Sequence, residues 1–205
     1  HSIATVSSYK LVAAELKKQT NFTSATSANG QTNPGWDFNK TWFMYEGQTA
    51  PLLRAFMTPL TITANSVVKT YDGSNYQATT GVSYSQTPDS RLLGSTSMSG
   101  SAIGAKNVGT YGIQASGQYS EQLGYLVHYV DGNLSINPAN LTVAGMSANN
   151  KTYDRSTSAS INTSQASLNG VITGDSVSLN ASNGDGSFAD KNVGNGKPVS
   201  VNGLS

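Results

Sequence analysis

Apolar and polar positions alternate with a period of two along much of the chain, the signature of half-buried strands. Leu60, Ile62 and Ala64 alternate with Thr61 and Thr63, and the run continues through Val67 and Val68 to Tyr71, where Asp72-Gly73 supplies a turn. Tyr125, Val127 and Tyr129 alternate with Leu126, His128 and Val130, and Asp131-Gly132-Asn133 predicts a hairpin turn returning through Leu134 and Ile136 to Pro138. A helical period occurs only over Tyr9–Thr20, with Ser8 as N-cap and Leu11, Val12 and Leu16 on one stripe. After a Ser/Thr/Asn linker come Phe22, Trp36, Phe38, Trp42, Phe43, Tyr45, Leu52, Leu53 and Phe56, dense enough to form a packed cap. The expected class is all-β: small strand-rich domains, Ig-like sandwich or β-grasp-like, behind an aromatic-rich capping segment with one short helix.

The strands recur in order. Lys69-Thr70-Tyr71-Asp72 returns as Lys151-Thr152-Tyr153-Asp154, Lys106-Asn107-Val108-Gly109 as Lys191-Asn192-Val193-Gly194, and Leu60-Thr61-Ile62 as Leu141-Thr142-Val143. One match could be accidental; three in the same order mark a tandem repeat. The chain therefore reads as a cap over 1–59, repeat one over 60–140 and a shortened repeat two over 141–205, with Pro138 at the junction. Repeat two lacks a counterpart of Gln114–Asn137, so residues 195–205 are expected to be poorly ordered or to pair with another molecule. Gly73 is replaced by Arg155, and because Arg resists positive φ that turn is expected to differ.

Composition narrows the partners. Asn, Ser, Thr and Gly make up 90 of 205 residues, which favours strands and turns over helices. Charged residues are 11% of the chain and the net charge is +1, too little to build a basic face for a nucleic-acid backbone or an acidic membrane. Cysteine is absent, which excludes disulfides and thiolate metal sites. No apolar run approaches the roughly 20 residues of a membrane span, so membrane insertion is not expected, and no signal-peptide pattern follows His1.

The pairing of KTYDG (69–73) with KNVG (106–109), closed by LSINPANLTV (134–143), resembles the MBG and YDG domains of large bacterial exoproteins. KTYD (151–154), LNGVITGDSVSL (168–179) and SFADKNVGNGKPVSVNGL (187–204) are closer to the YDG type. ELKKQTNF (15–22), GWDF (35–38) and PLLRAF (51–56) are similar to the segment that follows GLUG repeats in the same proteins. The resemblance implies a filamentous-haemagglutinin-like adhesin, exported to the cell surface by two-partner secretion through an outer-membrane transporter and used in attachment or biofilm formation. It implies repeated stalk modules without a catalytic residue set or cofactor.

The residues that could carry chemistry are few. His1 begins the chain and His128 lies in a predicted strand; no G-x-S-x-G elbow accompanies the many serines, so no enzyme is expected. Asp175, Asp185 and Asp190 fall in Gly/Asn-rich sequence that could gather oxygen ligands for calcium, but their spacing matches neither an EF-hand loop nor a nonapeptide β-helix repeat and they read as turn residues. Trp36 and Trp42, with Tyr119, Tyr125 and Tyr129, are the candidate ligand-binding residues, because flat aromatic faces suit the pyranose rings of an exopolysaccharide or a cell-surface glycan. Core packing is the competing reading of the same rings.

Overall fold

The computed structural model describes residues 10–77 and 80–205. They divide into two compact units: the first takes in the described residues up to Lys69, Asn75–Ala105 and Gly109–Ser135, the second Thr70–Ser74, Lys106–Val108 and Ile136–Ser205.

In the first unit the cap contributes β1 (Trp42–Phe43) and β2 (Leu52–Leu53), an antiparallel pair with Trp42 opposite Leu53. Seven strands follow: β3 (Thr58–Ala64), β4 (Val67–Thr70), β5 (Val82–Tyr84), β6 (Leu93–Ser99), β7 (Gly109–Tyr119), β8 (Tyr125–Val130) and β9 (Gly132–Asn137), with Thr70 at the end of β4 and Ile136–Asn137 at the end of β9 falling in the second unit. They form two sheets, in spatial order β5-β3-β8 and β4-β9-β7-β6, and β7 packs against β3 and β8. The alternating positions meet between the sheets: Leu60, Ile62, Ala64, Tyr125 and Val127 from one, Ile113, Ala115 and Leu134 from the other, all buried. Each fully buried aliphatic side chain contributes about 1.5–3 kcal/mol, which explains why the strands keep a strict period of two here. The all-β class is as expected, and among the described residues no helix lies between these strands of the two sheets.

Two local expectations are corrected. The helix expected over Tyr9–Thr20 is absent from its described part, Lys10–Thr20; Ser8 and Tyr9 lie outside the described residues. A single 3-10 turn occupies Glu15–Lys17, and the α-helix is the one-turn α1 (Thr20–Thr23). Val12 is 66% exposed and Leu16 is also exposed, so two of the three stripe positions are left unburied, and three turns do not hold without a packed face. The hairpin expected at Asp131-Gly132 is a corner between sheets: β8 runs parallel to β3, whereas β9 lies in the other sheet beside β7 and β4. Gly132 does not take the positive φ of a hairpin turn. It is required because a Cβ there would stand 2.3 Å from the Ala64 carbonyl oxygen.

The second unit repeats part of this plan with β10 (Thr142–Ala144), β11 (Ser147–Ala148), β12 (Ser158–Ala159), β13 (Ile161–Asn162), β14 (Ser167–Asn169), β15 (Asp185–Phe188) and β16 (Val199–Asn202). In the first unit β3 pairs antiparallel with β5, Ile62 opposite Tyr84 and Ala64 opposite Val82. In the second, β10 pairs antiparallel with β14, Val143 opposite Leu168. Antiparallel β6 and β7 place Ser97 opposite Ser116; antiparallel β15 and β16 place Asp185 opposite Asn202. The C-terminal residues, expected to be poorly ordered or to pair with another molecule, are instead paired internally: β16 lies along β15, and the Asn180 and Ser205 backbones exchange two hydrogen bonds of 2.6 and 3.1 Å. The core is thin, however. Beyond residue 140 the one buried apolar side chain among the described residues is Ala159, while Leu141, Tyr153, Val177 and Val193 are exposed.

Candidate functional site

Three places hold the residues singled out by the sequence. The first is the aromatic cap. The loop after α1 is fixed by two asparagines: the buried Asn21 donates through Nδ2 to the Glu15 backbone and carboxylate oxygens, each at 2.9 Å, and Asn29 Nδ2 donates to the carbonyls of Asn21 and Ser24. This returns the chain so that Trp36 N–H bonds to the Phe22 carbonyl at 3.0 Å. Trp36 and Trp42 then stack at 4.4 Å between centroids, and Phe22 sits 5.0 Å from Trp36. Trp36 is 37% exposed and Trp42 half-buried. Their rings are engaged with each other, and Trp36 also with Phe22. Arg54 lies 5.0 Å over the Phe43 ring, with Nε and Nη2 donating to the Trp42 and Phe38 carbonyls.

The three tyrosines are elsewhere, in the strands. Tyr125 is buried, and its hydroxyl accepts from Asp89 N–H at 3.1 Å. Tyr129 is half-buried; its hydroxyl donates to the Gln118 carbonyl at 3.0 Å and accepts from the Gln118 N–H at 2.8 Å, tying β8 to β7. Tyr119 packs edge-on against Tyr45 at 6.1 Å. Among the described residues no ring contact joins these tyrosines to the tryptophans, so the five candidates form a tryptophan pair and a separate set of strand tyrosines. Tyr45, expected only as a cap aromatic, has a hydroxyl that donates to the Tyr125 carbonyl at 2.6 Å and accepts from Val127 N–H at 2.9 Å. These are backbone groups of β8, which has a strand neighbour on one side only. Burial pushes the Tyr45 phenol up to about 12, opposed by the Val127 hydrogen bond. His128 is exposed on β8.

The second place is the repeated motif itself. Asp72 Oδ1 accepts from Ser74 N–H at 2.9 Å with Gly73 at φ 74°. Asp154 Oδ1 accepts from Ser156 N–H at 2.9 Å, and Arg155 stands at φ 67°. The turn expected to differ at Arg155 is therefore the same Asx turn, with arginine held in the left-handed region that glycine occupies in the first copy. The Asp side chain's bond two residues on dictates that geometry. Lys151 staples the second copy: Nζ donates to Ser156 Oγ at 2.6 Å and the Ser158 carbonyl at 2.7 Å, and pairs with Asp154 at 2.9 Å. Lys197 does the same for the next loop, donating to the Asn192 carbonyl at 2.7 Å and to Asp190. The two lysines, Lys151 first and Lys197 second, hold the carboxyls of Asp154 and Asp190 below the usual range. Of the aspartates considered for calcium, Asp190 is thus in a loop staple, Asp175 accepts from the Tyr71 hydroxyl at 2.8 Å, and Asp185 opens β15. Among the described residues no three or more His or acidic side chains gather to hold a metal ion, and no helix is long and apolar enough to cross a membrane.

The third place is a cleft of about 500 Å³ in the second unit. Its lining comes from the 148–156 stretch, including Lys151 and Tyr153, and from Phe188, the 190–197 loop and Val199. A smaller cavity of about 240 Å³ opens beside it among Val143, Met146, Ile161, Val199 and Val201. Neither cavity is legible in the residue pattern.

Residues 137–205 match the family model of the YDG domain. No curated protein and no solved structure matches the chain.

Proposed function

We propose that this chain is a non-catalytic structural and interaction region of a bacterial surface adhesin, a stalk or spacer that supports cell attachment and biofilm formation. The observation that carries this reading is the YDG-type region at 137–205, joined to a first unit whose β3–β5 and β6–β7 pairs recur in it. Repeated modules of one strand plan are what a spacer is built from. The reading places the protein outside the cell, with an outer-membrane transporter as its partner during two-partner secretion. In-frame deletion of residues 60–205 from the parent protein, followed by surface staining and an attachment assay, tests it. Surface display should persist while attachment falls, and an unrelated β-rich spacer of equal length should restore attachment. Attachment unaffected by the deletion would overturn the reading.

A second reading, a carbohydrate-binding module for exopolysaccharide or a host glycan, is supported by the exposure of Trp36, stacked on Trp42. A glycan array probed with the wild type and with Trp36→Ala and Trp42→Ala separates the two. Binding lost in both variants would favour this reading, and no binder at millimolar glycan would remove it.

A further inference from the structure

The two repeated words part company with the rest of the first repeat. Of the described residues before Ile136, Thr70–Ser74 and Lys106–Val108 alone belong to the second unit. Within that unit Tyr71 is half-buried, and its hydroxyl donates to Asp175 Oδ1 at 2.8 Å. Gly73 admits a close neighbour, since a Cβ on it would stand 2.8 Å from Ile172 Cγ2. Ile172–Asp175 is a β-turn, closed by a bond of 3.0 Å from Asp175 N–H to the Ile172 carbonyl with Gly174 at φ 97°. The first copy of Tyr-Asp-Gly is therefore covered by a turn that presents a carboxylate to its tyrosine. The second copy keeps the same Asx turn at Asp154, but Tyr153 is 56% exposed. Its two words, Lys151–Asp154 and Lys191–Gly194, together line the 500 Å³ cleft. Lys151 and Lys197 are committed there to Asp154 and Asp190, and Lys191 is exposed.

We propose that this cleft recognises a carboxylate-bearing β-turn of a partner protein built on a related module, with Tyr153 meeting that carboxylate as Tyr71 meets Asp175. A phenol donating to an ionised carboxylate makes a charge-assisted bond, stronger than a neutral one. Lys191 adds a positive charge that suits the same group. Because Lys151 and the Asp154 turn already fix the loop around Tyr153, little freedom is lost when a partner settles on it. Arg155 sets what the partner turn can carry. It stands at the position of Gly73, where Ile172 makes its close approach, so the partner has a residue smaller than Ile at that place and keeps the carboxylate three residues on. The chain's own Asp175 is taken by Tyr71, which makes a related module, and not an identical chain, the fitting partner. Such recognition does not require the parent protein to be an adhesin.

The test titrates a cyclic peptide of the 168–179 sequence carrying Ile172→Ala, up to millimolar concentration, into the isotope-labelled 205-residue chain and follows its amide signals by NMR. Signals of 151–156 and 191–194 should shift progressively, while those of β3 stay in place. Asp175→Asn in the peptide, or Tyr153→Phe in the chain, should each weaken binding by about tenfold; Tyr153 is exposed, so its variant leaves the fold intact. A peptide that keeps Ile172 should bind the Arg155→Gly chain more tightly than the wild type, and equal binding would overturn the part given to Arg155. No shift at millimolar peptide would overturn the site. So would shifts that survive both Asp175→Asn and Tyr153→Phe, or shifts confined to 70–74, where the peptide would merely displace the chain's own turn.

Discussion

Tyr45→Phe removes one oxygen atom and leaves the ring packed edge-on against Phe43 at 4.8 Å and near Tyr119. What it takes away is a hydroxyl that donates to the Tyr125 carbonyl and accepts from Val127 N–H on the strand-free side of β8. Two neutral hydrogen bonds are worth about 1 kcal/mol each, and a buried backbone group left unpaired adds about 1 kcal/mol or more. Water can reach an edge strand in part, so the total should be about 2–3 kcal/mol. For a unit of on the order of 100 residues that corresponds to a fall in Tm of about 10 °C. Thermal unfolding followed by circular dichroism, with Tyr84→Phe as control, provides the assay. The Tyr84 hydroxyl donates to a side chain, Gln118 Oε1 at 3.0 Å, which can turn to water, so the control should lose about 1 kcal/mol or less. A loss under about 0.5 kcal/mol at Tyr45, or equal losses at both positions, would refute the reasoning that Tyr45 closes the β8 edge. The same phenol fixes a pH dependence. Its pKa is raised from 10.0 to about 12, so its contribution is fully present below pH 10 and is lost as the pH rises between those values.

Arg155→Gly should stabilise the second unit by about 1 kcal/mol, since a non-glycine residue in the left-handed region costs about 1–3 kcal/mol and glycine's greater unfolded freedom returns about 0.5–1; a lower Tm on denaturant or thermal melting would contradict the φ of 67°. Gly132→Ala should destabilise the first unit by about 3 kcal/mol through the clash with the Ala64 carbonyl, visible as a lower urea midpoint, whereas a hairpin tip at that position would lose far less. Asp89 is held down to about 2, first by the side-chain bond from Arg91, and the Asp154 and Asp190 carboxyls are lowered by their lysines. These depressed groups contribute above the ordinary pKa of 3.8 and lose that contribution as pH falls through their lower folded values. NMR titration should therefore show the Arg91, Ser156 and Asn192 amides steady from pH 7 to 5 and moving only below about 4.

The period of two made the strands of the first unit legible, because burial between two sheets is what selects Leu60, Ile62, Val127 and Leu134. The repeated words themselves do not mark repeated strands: Lys69 and Thr70 lie in β4, whereas Lys151 and Thr152 form no strand, and Lys106-Asn107 and Lys191-Asn192 lie outside strands in both copies. Asp131-Gly132 misled because a glycine needed for close approach has the same letter as one needed for positive φ. The Arg155 turn misled because a local propensity was set against the Asp154 side-chain bond, and the bond won. The Tyr9–Thr20 stripe misled because amphipathic spacing is a promise of a partner surface, which Val12 and Leu16 do not meet. At the candidate site, aromatic identity could be read but not its use: Tyr125 and Tyr129 serve the strands through their hydroxyls, and only their neighbours in space reveal it.

The claim on which the rest turns is that both units carry one strand plan in one register. Cross-strand nuclear Overhauser effects on uniformly labelled protein measure it directly. The account predicts backbone contacts linking Ile62 with Tyr84 and Val143 with Leu168, and likewise Ser97 with Ser116 and Asp185 with Asn202. Contacts displaced by one residue in the second unit relative to the first would turn its side chains to the opposite face and contradict the shared plan.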